Sequence, residues 1–215
     1  MIRAVIFDLD GVLADTAAIH DIALNDVLKS INPSYEITSE ERMLEYGTLT
    51  TKNKIAKFFS KQGIYISPSE IDRLYTLKIE AVERVLDGVL ASSNSFQVVR
   101  DLRERGYKLA VCSNAGDGFV RSVLKKLDID EYFDVVLTNA FHGRHKPYPD
   151  IYLKAMLMMQ VGPRETVIFE DSYHGLKSAF DSGAHVFQVS SPAALTRDFV
   201  AKQINRSESF RNAPP

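Results

Sequence analysis

The stretch Ala4-Val5-Ile6-Phe7-Asp8-Leu9-Asp10-Gly11 decides how this chain folds. Four apolar residues bounded by charge have the length and character of a short strand buried on both faces. Two carboxylates follow where that strand must end. In an open α/β sheet, ligands collect outside the carboxyl ends of the strands, so Asp8 and Asp10 stand where chemistry is done. Like charges this close repel one another, and a bound cation would offset the cost.

Working outward, further strand-like runs occupy 108–113, 134–138, 166–169 and 185–189, with the first at 3–7. Helical patterns separate the last four. Phe96, Val99 and Leu102 recur at helical spacing before Gly106, and so do Val120, Val123, Leu124 and Leu127. Residues 151–159 are apolar enough for a buried helix, with Met156, Met158 and Met159 expected in the core. Leu176, Ala179 and Phe180 precede Gly183, a helix-ending glycine. Strand alternating with helix means a parallel sheet joined by right-handed crossovers.

Residues 15–87 break the alternation and read as helical throughout. Ile19, Ala23, Val27 and Leu28 share one helix face. Ser67-Pro68-Ser69-Glu70 has capping-box spacing with proline at the first helical position. Behind it Ile71, Leu74, Tyr75, Val82, Val85 and Leu86 form an apolar stripe. The expected organisation is therefore an α/β core over 1–14 and 88–204, a helical cap domain over 15–87 able to act as a lid, and a disordered polar tail over 205–215.

The bulk properties exclude several classes. With 215 residues, 45% hydrophobic and 25% charged, the composition is that of a globular protein. A net charge of −2 offers no attraction to nucleic acid or to an anionic membrane. No apolar run approaches the roughly 20 residues that span a bilayer. Met1-Ile2-Arg3 leads directly into the first strand without room for a signal peptide, so a cytoplasmic protein is expected. The single cysteine, Cys112, lies in an apolar run and reads as a buried, inert thiol.

Three more motifs are expected at the same sheet edge: Ser113-Asn114 closes the second strand, Lys146-Pro147-Tyr148-Pro149-Asp150 precedes a helix, and Glu170-Asp171-Ser172, followed by Gly175, closes the fourth strand. Together with Asp8-Leu9-Asp10-Gly11-Val12-Leu13 and Asp15-Thr16, these motifs make the chain resemble the haloacid dehalogenase-like hydrolases, in particular the phosphoglycolate phosphatase and β-phosphoglucomutase-like members with a small helical cap. The resemblance covers nearly all of residues 1–190. It implies a Rossmann-like parallel sheet with an inserted helical-bundle cap. It also implies Mg²⁺-dependent phosphomonoester hydrolysis of a small phosphorylated metabolite through an aspartyl-phosphate. By that resemblance Asp8 is the nucleophile and Asp10 the acid and base. The metal is then held by the side chains of Asp8 and Asp171 and the main-chain carbonyl of Asp10, with Glu170 direct or water-mediated. Such residue types suit phosphoryl transfer, which depends on positioning and charge neutralisation. Ser113 and Asn114, through a hydroxyl and a main-chain or amide N–H, are expected to bind the phosphoryl group, and Lys146 to supply a fixed positive charge. Asp150 reads as a helix cap or a brace for Lys146.

The cap candidates are Thr16, His20, Thr51 and Lys52. Thr16 and His20 share a helix face that would look toward Asp10. Residues 48–52 are expected to form a specificity loop. In β-phosphoglucomutases the corresponding stretch resembles Lys-Gly-x-Ser-Arg. Aligned on Ile55, this chain has Gly47 at the lysine and Thr51 at the arginine, with Lys52 one place beyond. That departure favours a phosphatase over the alternative, a hexose-phosphate mutase. An acid at the position of Asp10 argues against dehalogenation, and the intact motif set against a non-enzymatic phosphate-binding module. The chain is expected as a monomer or weak dimer without nucleic-acid or membrane partners.

Overall fold

The computed structural model describes residues 1–46, 49–89 and 94–211. In chain order β1 (Ala4–Phe7) is followed by α1 (Ala17–Ile31), the single turn α2 (Ser39–Glu41) with a π-helical turn over Arg42–Tyr46, α3 (Thr51–Lys61) and α4 (Pro68–Val89). Then come α5 (Ser95–Glu104), β2 (Lys108–Cys112), α6 (Asp117–Lys126), β3 (Val135–Leu137), α7 (Asp150–Met159), β4 (Thr166–Glu170), α8 (Tyr173–Asp181), β5 (His185–Gln188) and α9 (Arg197–Arg211). Among these elements no helix is long and apolar enough to cross a membrane.

Every residue of β1 is buried because the strand is central. The sheet order is β3-β2-β1-β4-β5, all parallel, with Ala4 aligned to Lys108 on one side and to Thr166 on the other. Alternate residues point to opposite faces, and both faces are covered, as parallel sheets require. Ala4 and Ile6 join Cys112, Ile168, Tyr152, Met156 and Met159 in one core layer. On the other face Phe7 stacks on Phe169 at 5.6 Å, and Phe169 meets Phe187 and Phe199. The chain passes outward from β1 to β3, then returns to β4 on the far side of β1. This reversal of strand order opens a crevice at the carboxyl ends of β1 and β4, the place where such sheets bind ligands.

Two expectations in this region need correction. Residues 205–211 are helical rather than disordered, because Val200, Ile204 and Ser207 are buried along α9 and Glu208 accepts from the Ile2 N–H at 3.0 Å; residues 212–215 lie outside the described residues. The helix over 151–159 is not buried all round. Met156 and Met159 are in the core, but Met158, Leu153 and Leu157 face outward on the opposite side.

The chain divides into two compact units, Met1–Thr16 with Leu90–Pro215, and Ala17–Val89. The junctions fall two residues later than the 14/15 and 87/88 boundaries expected. At the first, Asp15 and Thr16 stay with the core, where the Thr16 hydroxyl is bonded to Asp10; at the second, α4 continues unbroken to Val89.

Within the second unit α1 packs on α4 and α3 packs on α4. Their buried residues include Ile19, Ala23, Val27 and Leu28 of α1, Ile55, Phe58 and Phe59 of α3, and Leu74, Val82 and Leu86 of α4. Ser67 caps α4 by accepting from the Glu70 N–H at 3.2 Å, while the Glu70 carboxylate turns to Arg73 at 2.6 Å. Half of the predicted capping box is thus replaced by an ion pair. A second capping box, Thr38 with Glu41, starts α2.

His20 and the buried Lys78 form a polar pair inside this bundle, with Lys78 Nζ 2.6 Å from His20 Nδ1. An ammonium can only donate, so Nδ1 accepts and the imidazole proton sits on Nε2. Burial, then the positive charges of Lys78 and Lys54, push the His20 pKa from its ordinary 6.5 down to about 4. The unfolded chain therefore takes up a proton below pH 6.5 that the folded chain refuses down to about 4. Relative to His20→Asn, the wild type is expected to lose stability as pH falls through this window. Thermal midpoints of both proteins from pH 7.5 to 4.5 check it, and parallel curves would refute it.

Candidate active site

Asp8 and Asp10 leave β1 in a tight loop. The Leu13 and Ala14 N–H groups donate to the Leu9 carbonyl, and Gly11 N–H donates to the Ala14 carbonyl at 2.8 Å. Gly11 has φ +78°, and a Cβ there would collide with the Asp171 carboxylate. The glycine is what allows the β1 loop to approach the β4 loop this closely. The Asp8 N–H donates to the Phe169 carbonyl at 3.0 Å, so the sheet ladder extends one step into the site.

Lys146, at the end of the loop between β3 and α7, inserts its ammonium between two carboxylates. Nζ lies 2.5 Å from Asp8 Oδ1 and 2.7 Å from Glu170 Oε1, with its side chain 4% exposed. The loop is locked at its backbone by Asn114, whose amide donates to the Lys146 carbonyl at 3.2 Å and accepts from its N–H at 3.3 Å. The Asn114 side chain therefore braces the Lys146 backbone, with its main-chain N–H and the second amide hydrogen left as donors it can offer. Asp150 braces Arg144 instead of Lys146, holding the guanidinium through Nε at 3.1 Å and Nη2 at 2.9 Å.

Glu170 ends β4 in complete burial and is engaged on both oxygens. Oε1 accepts from Lys146 and from the Tyr152 hydroxyl at 3.2 Å; Oε2 accepts from the Ser172 N–H at 3.0 Å and its hydroxyl at 3.1 Å. Ser172 in turn caps α8 by accepting from the Gly175 N–H at 3.1 Å. A Cβ at Gly175 would strike the Glu170 carboxylate. Gly175→Ala is accordingly expected to cost about 1–3 kcal/mol by overpacking. It should also cut turnover at least tenfold, on the order expected when a reacting group is misplaced by about 1 Å. Urea melts and initial rates check this, with Gly118→Ala as control because nothing lies within 4 Å of a Cβ there. Equal stability and turnover for both variants would count against this account.

Asp10 accepts from the Thr16 hydroxyl and, at 3.4 Å, from the Ser113 hydroxyl. Ser113 itself is fully buried and accepts from the Ala115 N–H at 3.0 Å. Asp8, Asp10, Thr16, Ser113, Lys146, Glu170 and Asp171 are thus gathered at one crevice.

The electrostatics are lopsided. Burial, opposed by Lys146 and aided by Glu170 and Asp10, pushes Asp8 from 3.8 up to about 8. Burial also raises Asp10 against the pull of its Thr16 bond, and burial with Glu170 pushes Asp171 up to about 6. Burial alone would lower Lys146, but Asp8, Tyr152 and Glu170 hold it well above its ordinary range. Several buried acids thus share one lysine, and the site favours an added positive charge. Asp8, Glu170 and Asp171 offer carboxylate oxygens within 4.8 Å of one another. An all-oxygen donor set fits a hard divalent cation such as Mg²⁺.

The remaining candidates belong to the other unit. His20 pairs with Lys78. Thr51 is the first residue of α3, whose cap is Thr50. Lys52 is exposed, pairs with Asp72 at 2.6 Å and lies over the Tyr75 ring. Thr48, the first residue of the expected specificity loop, and Gly47 before it lie outside the described residues. Cys112 is buried and pushed up to about 12 by burial, which leaves it no nucleophilic role.

The sequence reading passed over Tyr152, hidden in an apolar helix. Its only signal is its place two residues beyond the motif that ends at Asp150.

The family model for haloacid dehalogenase-like hydrolases matches residues 5–189. Protein CbbY of Cereibacter sphaeroides is 29% identical over 202 residues, which are 92% of this chain and 87% of that protein. The phosphorylated carbohydrates phosphatase of Thermotoga maritima is 28% identical over 188 residues, 84% of this chain and 82% of that protein. The crystal structure of CbbY from Rhodobacter sphaeroides in complex with phosphate has a TM-score of 0.72 at 25% identity, covering 90% of this chain and 96% of that one.

Proposed function

From the premise that the chain belongs to the haloacid dehalogenase-like hydrolases, we propose that it is a Mg²⁺-dependent phosphomonoester phosphatase acting on a small phosphorylated carbohydrate or similar metabolite. One observation carries this reading: a buried lysine bonded to both Asp8 and Glu170, beside Asp171, where β1 and β4 end. The phosphatase named among its relatives supports the substrate class.

Asp8 attacks phosphorus, and the bond from phosphorus to the ester oxygen breaks. The electron pair leaves with that oxygen, which takes a proton from Asp10. Asp10, now a carboxylate, accepts a proton from the water that attacks the aspartyl-phosphate, restoring Asp8 and releasing inorganic phosphate. Thr16 keeps the Asp10 carboxyl aimed through both steps. Lys146 balances charge on Asp8 and on the phosphoryl oxygens, and the Ser113 hydroxyl and the Asn114 N–H are the neutral donors to those oxygens. A divalent cation held by Asp8 and Asp171, with the Asp10 carbonyl, would supply further charge to the phosphoryl group.

The test is phosphate release from p-nitrophenyl phosphate and a panel of sugar phosphates. Chelation with EDTA is expected to lower the rate at least about a hundredfold, with Mg²⁺ restoring it. Rates indifferent to EDTA would overturn the metal requirement. Isomerisation of β-glucose 1-phosphate without phosphate release would overturn the phosphatase.

A further inference from the structure

Tyr152 is fully buried in the core layer beneath β1, where a phenylalanine would fill the same volume without a hydroxyl to desolvate. Its position gives the hydroxyl and the ring separate uses. The hydroxyl donates to Glu170 Oε1 at 3.2 Å, the same oxygen that accepts from Lys146 at 2.7 Å. The ring lies under the Lys146 ammonium, 4.9 Å from centroid to Nζ. Lys146 is thereby held by Asp8, by Glu170 and by an aromatic face, and Glu170 by Lys146, Tyr152 and Ser172.

We propose that Tyr152 is the positioning residue that fixes the Lys146 ammonium and the Glu170 carboxylate relative to Asp8. Without it, two atoms of the site could swing together. Without the hydroxyl, Glu170 Oε1 would keep Lys146 as its single donor, and without the ring the ammonium would lose the aromatic face beneath it. α7 thus contributes to the site from its buried face through Tyr152, two residues beyond the motif that ends at Asp150. The effect on turnover rests on the phosphatase reading; the effect on Lys146 itself does not.

Two variants separate the parts. Tyr152→Phe keeps the ring and the packing and removes the hydroxyl; Tyr152→Leu removes both. Steady-state rates on p-nitrophenyl phosphate are expected to show kcat reduced about three- to tenfold in Tyr152→Phe and about thirty- to a hundredfold in Tyr152→Leu, with KM changed less than about threefold. A second readout needs no turnover: acetylation of Lys146 by acetic anhydride, followed by mass spectrometry. Lys108, held by the Met159 carbonyl at 2.6 Å, serves as internal reference. Lys146 labelling is expected to rise severalfold in Tyr152→Phe and further in Tyr152→Leu. A tyrosine needed only for packing would lower the melting temperature of Tyr152→Leu and leave kcat per folded molecule and Lys146 labelling unchanged; that result overturns the proposal. Should Tyr152→Leu fail to fold, Tyr152→Phe decides alone, since it leaves no cavity. If the wild type releases no phosphate from any ester, the phosphatase reading fails and the labelling still decides the role of Tyr152.

Discussion

Asp8→Asn is expected to lower phosphate release at least about 10⁴-fold, the scale of loss when a covalent nucleophile is removed. The change keeps the shape of the side chain and removes one of several like charges from a buried crevice. Lys146 retains Glu170 at 2.7 Å as a partner. Stability is therefore expected to change far less than activity, with the melting temperature staying within a few degrees of the wild type. A rapid acid quench after mixing with substrate should trap an alkali-labile phosphoryl group on the wild type and none on the variant. Retention of more than about 1% of the wild-type rate would remove Asp8 from the nucleophilic role.

Lys146→Met has the second large effect, and it falls on stability and catalysis together. Methionine approximates the length of the lysine stem, so packing is largely kept. What disappears is the cation between Asp8 at 2.5 Å and Glu170 at 2.7 Å. Removing one partner of a buried ion pair leaves uncompensated charge and typically costs about 3–5 kcal/mol. Urea unfolding in EDTA at neutral pH, where no cation can stand in for the ammonium, is expected to report a loss in that range. Added Mg²⁺ should recover part of the stability, because it returns positive charge to the same acids. Turnover is expected to fall at least about 10³-fold, since the variant lacks the fixed charge that balances the phosphoryl oxygens. A loss of stability under about 1 kcal/mol in EDTA would mean that the acids are neutral in the folded protein and that the pair contributes little.

The core was legible in sequence because its signals are local and repeated. Short apolar runs alternate with helical spacing, and each run ends in polar residues, so five strands and one functional edge can be read without coordinates. The observed strands differ from the expected runs by a residue or two at their ends, where neighbouring strands decide how far a ladder extends. Less legible were features in which a residue's environment overrides its type. Met158 and Leu157 looked like core and point outward, because a helix on one face of a sheet has only one side to bury. Residues 205–211 looked like a polar tail, yet Ile204 and Ser207 tie that helix down. The partner of Lys52, Asp72 at 2.6 Å on another helix, is likewise not announced by its own stretch of sequence.

By itself, then, the sequence determined the family, the parallel sheet, the inserted helices and the identity of the acids and the lysine that the sheet edge brings together. The sheet and the helices follow from residue type and spacing, which act over a few positions, and the family from the resemblance its motifs carry. Tertiary structure decided the partnerships: Asn114 to the Lys146 backbone, Asp150 to Arg144 rather than Lys146, Glu170 saturated by Lys146, Tyr152 and Ser172, and Gly11 and Gly175 as the gaps that admit Asp171 and Glu170. The physical reason is range. A hydrogen bond or a close approach depends on where two distant segments are placed to within an ångström, and no spacing along one strand or helix encodes that. Asp8 and Asp10 could be found from eight residues; what holds Asp8 is Lys146 in a distant loop, and what holds Asp10 is the nearby Thr16 together with the distant Ser113.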